Sequence, residues 1–433
     1  DDMFNIIIFK EASKGYEDVP TVMLQSHIDM VAEKNKDSNH DFDKDPIKLI
    51  DKDGILYADN TTLGADNGVG VAYMMAILDD ENAQHPALEC VFTVQEETGL
   101  TGAANLDTSM LKSKLCVGLD SSGDNETCVS TSGGVRGLLQ KEIKFVEGDF
   151  DTLEISIRGL LGGHSGGEID QERANANKLA GIILHQLLKV DSDLLIVDVD
   201  GGLKMNAITR EADLKLASKH IDKLEETLEY LSSEMKKQYE FSDAGLAITW
   251  NKAKASKAIS NQDSKDIARL LFMLPYGVIQ KSKAIEDLVI TSANIGTVAI
   301  KDNLAEITVS LRATQAYVLD QVMEQVAIIA EISNFTIEYS SHYPGWDFDS
   351  NSKFRARLLE VYENLNNEKM LETATHGGME LGIWKDKMPE LDIISFGPNM
   401  YDIHTPNEHL DIASFERTYE VLVELLKSLK EDL

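Results

Sequence analysis

Four short stretches rich in apolar residues, at residues 21–26, 88–94, 115–119 and 391–396, set the strongest limit on how this chain can fold. Apolar-rich runs of that length read as strands buried on both faces. Segments of helical character lie between the first three, one of them at 69–78 with Val69, Ala72, Tyr73 and Ala76 on one face. Strands alternating with helices predict an α/β layered domain with a largely parallel sheet. The fourth strand is far downstream of the third, so both ends of the chain are expected to build one domain.

From about residue 133 the texture changes. Leu153, Ile155 and Ile157 alternate with Glu154, Ser156 and Arg158, the period of a half-buried strand. Ala176, Leu179, Ala180, Ile183 and Leu187 mark one face of a helix, a charge-rich helix is expected at 221–239, and alternation returns near 305–311. This block predicts an antiparallel sheet covered by helices, an α+β domain at 133–344 inserted into an outer domain of 1–132 and 345–433. The α/β texture resumes after Tyr343-Pro344-Gly345-Trp346 and closes with an amphipathic helix carrying Phe415, Tyr419, Leu422, Leu426 and Leu429.

Composition excludes several function classes. Apolar residues make up 43% of the 433 and charged residues 27%, the balance of a globular protein. The formal net charge of −33 repels nucleic acid and anionic membrane, so neither is an expected partner. No apolar run approaches the ~18 residues of a membrane span. Cys90, Cys116 and Cys128 form no CxxC pair, and Asp1-Asp2-Met3-Phe4-Asn5 lacks the basic stretch of a signal peptide, so a reducing, cytoplasmic location is expected.

Ligands and metals in α/β sheets sit past the carboxyl ends of the strands. The first strand is followed by His27-Ile28-Asp29, the second by Gln95-Glu96-Glu97 and the third by Asp120; Asp402-Ile403-His404 lies beyond the last, and Leu63-Gly64-Ala65-Asp66-Asn67-Gly68 leads into the first helix. A lone His or Asp past a strand is more often a cap or turn residue. Several convergent endings of mixed imidazole and carboxylate character suit zinc, with cobalt or manganese as alternatives. His27 and Asp29 share one face of an extended chain, which lets Asp29 orient a ligating imidazole. Successive side chains diverge at Glu96-Glu97, so one can ligate while the other meets a water.

In their order, His27-Ile28-Asp29-Met30-Val31, Leu63-Gly64-Ala65-Asp66-Asn67-Gly68, Glu96-Glu97, Asp120 and His404 resemble the co-catalytic two-zinc aminopeptidase and carboxypeptidase superfamily, and within it the bacterial aminoacyl-histidine (Xaa-His) dipeptidases. The likeness spans nearly the whole chain and includes His164-Ser165-Gly166, Asn206-Ala207-Ile208, Tyr343-Pro344-Gly345-Trp346 and His376-Gly377-Gly378-Met379-Glu380. It implies two divalent ions per subunit, one served by His27 and Asp120, the other by Glu97 and His404, with Asp66 bridging both. Glu96 is then the general base, and Asp29 fixes the imidazole of His27. His164, Asn206 and Arg312 polarise the scissile carbonyl and hold the substrate carboxylate, and Gly378 lines the substrate pocket. It further implies hydrolysis of small peptides, a cis bond between Asp66 and Asn67, and a homodimer paired through the inserted lid domain.

Three departures stand out. Thr209 replaces the proline usual after Asn-Ala-Ile, Ser121-Ser122-Gly123 replaces a more acidic run, and family members carry a further, mostly helical segment before the strand at 4–9. From the residues alone, the loop of Gly162, Gly163, Gly166 and Gly167 around His164 also reads as a plain connection, Arg312 as surface charge and Asn206 as a turn residue. His376 and Glu380, spaced i and i+4, are expected in a pocket or structural role. His40, His85, His185, His220, His342 and His409 are expected to be structural or on the surface. A tripeptidase, an aminoacylase or another amidohydrolase would share the same ligands; a non-enzymatic dimeric binding protein would be marked by loss of a ligand or of the base, and no such loss is present.

Overall fold

The computed structural model describes residues 1–285 and 288–431. The chain divides into two compact units: Asp1–Thr131 with Gly345–Ala374 and Gly378–Leu433, and Ser132–Pro344 with Thr375–Gly377.

A seven-stranded sheet forms the centre of the first unit, in the order Ile6–Lys10, Leu88–Thr93, Val22–His27, Leu115–Gly118, Asp392–Ser395, Glu126–Thr131, Leu371–Thr375. Four inner strands, those foreseen from their apolar runs, are mutually parallel. The sheet as a whole is mixed, because Ile6–Lys10 joins one side antiparallel and Glu126–Thr131 the other. Val22, Leu24, Cys90 and Val117 are buried against Tyr73, Met74 and Ile77 of the helix Ala65–Asp79, Phe354 and Leu358 of Lys353–Asn366, and Leu422 and Leu425 of Ile412–Ser428. The first helix therefore turns Val69, Tyr73, Met74 and Ile77 inward, whereas Ala72 and Ala76 of the expected face are exposed. Larger side chains remove more apolar area from water, and they decide which face is buried.

A second, four-stranded sheet in this unit was not foreseen. It runs Met400–Tyr401, His409–Asp411, Ile55–Ala58, Leu49–Lys52. Its first two strands make a hairpin whose connection holds His404, so that histidine is carried by this sheet and not by the end of a parallel strand.

The second unit is built on an antiparallel sheet that includes Gly133–Glu142, Phe145–Arg158, Leu195–Gly201, Ala212–Ala217, Ala247–Ile259, Val289–Lys301, Leu304–Ala313 and Thr336–Tyr343. Leu153, Ile155 and Ile157 face its core, together with Leu179, Ile183 and Leu187 of the helix Ala176–Val190. Among the described residues no helix is long and apolar enough to cross a membrane.

Candidate active site

Parallel register places the ends of two neighbouring strands side by side, His27 opposite Thr93. Just past them the chain turns, and the polar residues singled out in the sequence converge. His27 is buried; its Nε2 lies 3.0 Å from Asp66 Oδ1 and 3.6 Å from Asp120 Oδ1. His404 Nε2 lies 3.1 Å from Asp66 Oδ2 and 3.0 Å from Glu97 Oε1. The two oxygens of Asp66 thus face two different imidazoles, each with a second carboxylate beside it. Ligating atoms of His27, Asp66 and Glu97 all lie within 4.8 Å of one another. Such a donor set of imidazoles and carboxylates around one shared carboxylate fits a pair of divalent cations.

Asp66 is aimed by its backbone. It follows Gly64, whose φ of 76° lies in the left-handed region, and neither Asp66 nor Asn67 has helical torsions although both lie in the first turn of Ala65–Asp79. The Asp66–Asn67 bond is cis. Asn67 is buried, donating to Leu119 O at 2.7 Å and accepting from Ser26 Oγ.

Asp29 works through two groups. Its backbone carbonyl accepts from His27 Nδ1 at 3.0 Å, while its carboxylate stands 3.5 Å from that nitrogen. The same carboxylate accepts from the backbone N–H of Glu96 at 3.1 Å and of Glu97 at 3.2 Å, and so ties the second strand's ending to the first. If Nδ1 is the donor, Nε2 presents its lone pair to the Asp66 side, the tautomer a metal ligand needs.

Electrostatics in this cluster follow from crowding. Burial pulls the His27 pKa down, but its hydrogen bonds to Asp120, Asp29 and Asp66 outweigh burial and hold it well above the usual imidazole range. His404 is raised to about 10, by its bonds to Asp66 and then to Glu97. Asp66 is held below the usual carboxylate range because those imidazoles overcome its burial. Glu96 is pushed up to about 9 by burial and then by the charge of Asp120. Among the described residues the Glu96 carboxyl has no hydrogen-bonding partner, which leaves it available to a substrate or a water.

His376 and Glu380, spaced as a helical pair, part company. Glu380 is buried in the first unit; its Oε2 accepts from Thr93 Oγ1 at 2.6 Å and from Gln25 Nε2, and burial pushes its pKa up to about 8. His376 groups with the second unit, where its Nε2 meets Ser292 Oγ at 2.7 Å. Gly378 is half-buried and lies two residues before the helix Glu380–Lys387.

His164, Asn206 and Arg312 are gathered in the second unit. Gly163–His164 pairs with Ala207–Ile208, and Ser165 N donates to Asn206 O at 2.9 Å. His164 Nδ1 accepts from the backbone N–H groups of Gly166 at 3.2 Å and Gly167 at 3.1 Å. That arrangement needs an unprotonated Nδ1, so the proton of the neutral ring sits on Nε2 as an outward donor. Burial and then the Arg312 charge lower the His164 pKa, which favours the same neutral form. A Cβ on Gly166 would lie 3.0 Å from His164 Cε1 and 3.1 Å from Arg312 Cζ, so a glycine lets imidazole and guanidinium crowd together. Arg312 is buried, donates from Nη1 to Tyr343 Oη at 2.7 Å, and forms no ion pair among the described residues. A buried guanidinium without a counter-charge is an anion site in waiting.

Within each unit, residues with no ligand-like signal in sequence hold these side chains in place. Tyr343 orients Arg312, Ser292 holds His376, and Glu408 binds the loop that carries Asp66.

Comparison with known proteins identifies the family. The model of peptidase family M20/M25/M40 matches residues 23–428. The chain is 35% identical over 434 residues to the cytosol non-specific dipeptidase of Escherichia coli (strain K12), covering 99% of this chain and 89% of that protein. The crystal structure of aminoacylhistidine dipeptidase from Vibrio alginolyticus superposes with a TM-score of 0.93 at 33% identity, covering 99% of this chain and 88% of that one. The aminopeptidase PepT of Bacillus cereus shares the fold at a TM-score of 0.53 and 17% identity, with coverage of 99% and 85%.

Proposed function

Because the chain belongs to peptidase family M20/M25/M40, a family of metallopeptidases, we propose that it hydrolyses dipeptides with a free C-terminal carboxylate, of Xaa-His type with broad specificity. The observation that carries this reading is the two-sided Asp66, with His27 at one carboxylate oxygen and His404 at the other. His27 and Asp120 would hold one cation and Glu97 and His404 another, with Asp66 placed to serve both. Imidazole and carboxylate donors favour zinc, with cobalt or manganese as substitutes.

Bound divalent cations supply a water of lowered pKa and polarise a carbonyl. The chain's own residues do the rest. Burial and then nearby acidic charge raise the Glu96 pKa, and two cations beside it would offset that charge. So ionised, and without a hydrogen-bonding partner among the described residues, Glu96 takes the proton of the attacking water and returns it to the leaving amine. Asp29 holds His27 and the Glu96-Glu97 turn in one arrangement, so the base keeps its place. His164, neutral with Nε2–H outward, donates to the carbonyl oxygen as charge builds on it, a type of contact worth ~3–4 kcal/mol. Arg312, assisted by Asn206, pairs with the substrate carboxylate, and this requirement limits substrates to short peptides. Gly378 lines the pocket with backbone alone.

On the family resemblance the reading extends to a homodimer paired through the 133–344 domain. A cytoplasmic location is supported by the name of the Escherichia coli relative. The deciding experiment is a substrate panel on metal-reconstituted protein: dipeptides including β-alanyl-histidine, tripeptides and N-acetylated amino acids. Turnover of dipeptides above the other classes is expected. Preference for tripeptides or acylated amino acids would overturn the substrate assignment.

A further inference from the structure

We infer that Glu408 is a positioning residue for the metal site: its buried carboxylate caps the helix that carries Asp66 and fastens that helix start to the hairpin that carries His404. The inference rests on the reading that Asp66 and His404 hold metal.

The helix Ala65–Asp79 has no cap of its own. Its N-cap position is Gly64, in the left-handed conformation, with no side-chain hydrogen bond. The first N–H groups of any helix lack partners within it and must find them elsewhere. Here Glu408 serves the N-cap, one N–H within the first turn and the residue just before the cap. Its Oε2 accepts from the N–H of Leu63 at 2.7 Å and of Gly64 at 3.0 Å, and its Oε1 faces the N–H of Asp66 at 3.3 Å. Glu408 is only 2% exposed and pairs with no cation among the described residues. A buried carboxylate is costly unless hydrogen-bonded, and three backbone donors at a helix N-terminus provide the compensation.

The other end of the same contact is the His404 hairpin. Glu408 N donates to Thr405 O at 3.0 Å inside the loop. The next residue, His409, begins a strand paired with Ile55–Ala58, and its ring stacks between Tyr57 and Tyr401, each at 5.0 Å. Glu408 therefore sits where the firmly paired strand gives way to the loop. His404 has little packing to hold it: its side chain is 47% exposed, and its φ of 63° is one that non-glycine residues seldom keep without outside support. Losing the carboxylate would release the Asp66 turn and the His404 loop together. Groups that orient metal ligands typically change metal affinity by about 10–100-fold when removed.

The test strips metal from the full chain with a chelator and titrates cobalt(II), followed by visible absorption and by calorimetry. Wild type, Glu408→Ala, Glu408→Gln and Ser352→Ala are compared. Ser352 caps the helix Lys353–Asn366 of the same unit by accepting from Arg355 N at 3.0 Å, so its variant measures loss of a cap as such. Wild type is expected to take two cobalt ions. Glu408→Ala should bind at least one of them about tenfold more weakly or worse. Glu408→Gln, which keeps one strong acceptor, should fall between and carries the test if the alanine variant does not fold. Ser352→Ala should lower the melting temperature and leave the titration unchanged. Wild-type titrations from both Glu408 variants, or equal weakening by Ser352→Ala, would overturn the inference. Wild type that binds no cobalt, or Asp66→Ala that binds as wild type does, would instead sink the metal-site reading and the inference with it.

Discussion

Asp66 Oδ2 and His404 Nε2 meet at 3.1 Å across 338 positions of sequence. The contact joins the turn after one strand to a hairpin near the end of the chain, and the other Asp66 oxygen meets His27 at 3.0 Å. A carboxylate between two imidazoles is the feature on which the first prediction depends.

Removal of metal should abolish hydrolysis. Dialysis against a chelator is expected to give inactive protein, and zinc, cobalt or manganese to restore it, with metal analysis reading two ions per chain. Full activity in metal-free protein would refute the site.

Glu96 and Glu97 are neighbours with different expected tasks. Glu96→Ala should lose turnover, by at least the 10²-fold typical of a general base, and keep near-normal metal content. Glu97→Ala should lose metal, because its Oε1 is the partner of His404 at 3.0 Å. Equal metal loss in the two purified variants would show the roles to be wrongly divided.

His164 is expected to serve the partner subunit. His164→Ala subunits, with every ligand intact, are mixed with Glu96→Ala subunits, which keep His164. Action in trans gives each mixed dimer one complete site and restores activity that neither parent has. Inactive mixtures, once subunit exchange is verified, would count against it.

Gly70→Ala tests packing beneath Asp66. Alanine is the better helix former by ~1 kcal/mol. Its Cβ, however, would lie 2.5 Å from Asn67 Oδ1, 2.7 Å from Ser26 Oγ and 2.9 Å from Leu119 Cβ. Overpacking typically costs about 1–3 kcal/mol, so net destabilisation is expected in denaturant titration, with weakened metal binding. A stabilised variant would contradict the packing.

His376 should make stability fall in acid. Burial, and then the charge of Arg312, lower its pKa to about 3 in the folded chain, against an ordinary 6.5. Between those values the unfolded chain binds a proton that the folded chain refuses, so this contribution is complete above the unfolded value and is lost as pH drops through the window. The slope is at most ~1.4 kcal/mol per pH unit. Denaturant melts from pH 7 to 5 should fall less steeply in His376→Gln than in wild type. Identical slopes would mean that His376 protonates without cost in the native state.

Much of the site was legible before any coordinates. A strand covered on both faces must be apolar along its length, so the inner strands announced themselves, and the first polar residues after them had to lie at the crevice where such sheets hold ligands. That reasoning brought forward His27-Ile28-Asp29, Glu96-Glu97, Asp120 and the Asp66 turn as candidates; the resemblance alone divided ligand from base and grouped His164, Asn206 and Arg312. The small sheet that presents His404 was invisible, because its strands are short, partly exposed and distant in sequence. Periodicity also misjudged the first helix, giving Ala72 and Ala76 a face that Met74 and Ile77 occupy.

Least legible of all was Glu408. A carboxylate that accepts from backbone N–H groups needs no particular residues opposite it, because every residue except proline offers the same donor. Composition and spacing record which side chains are apolar and which can ligate. They do not record which helix start lacks a cap, or which distant loop supplies one, since that depends on where two segments 342 positions apart come to rest. Chemistry that resides in side-chain identity was written in the sequence; the positioning that resides in backbone donors was decided only when the chain folded.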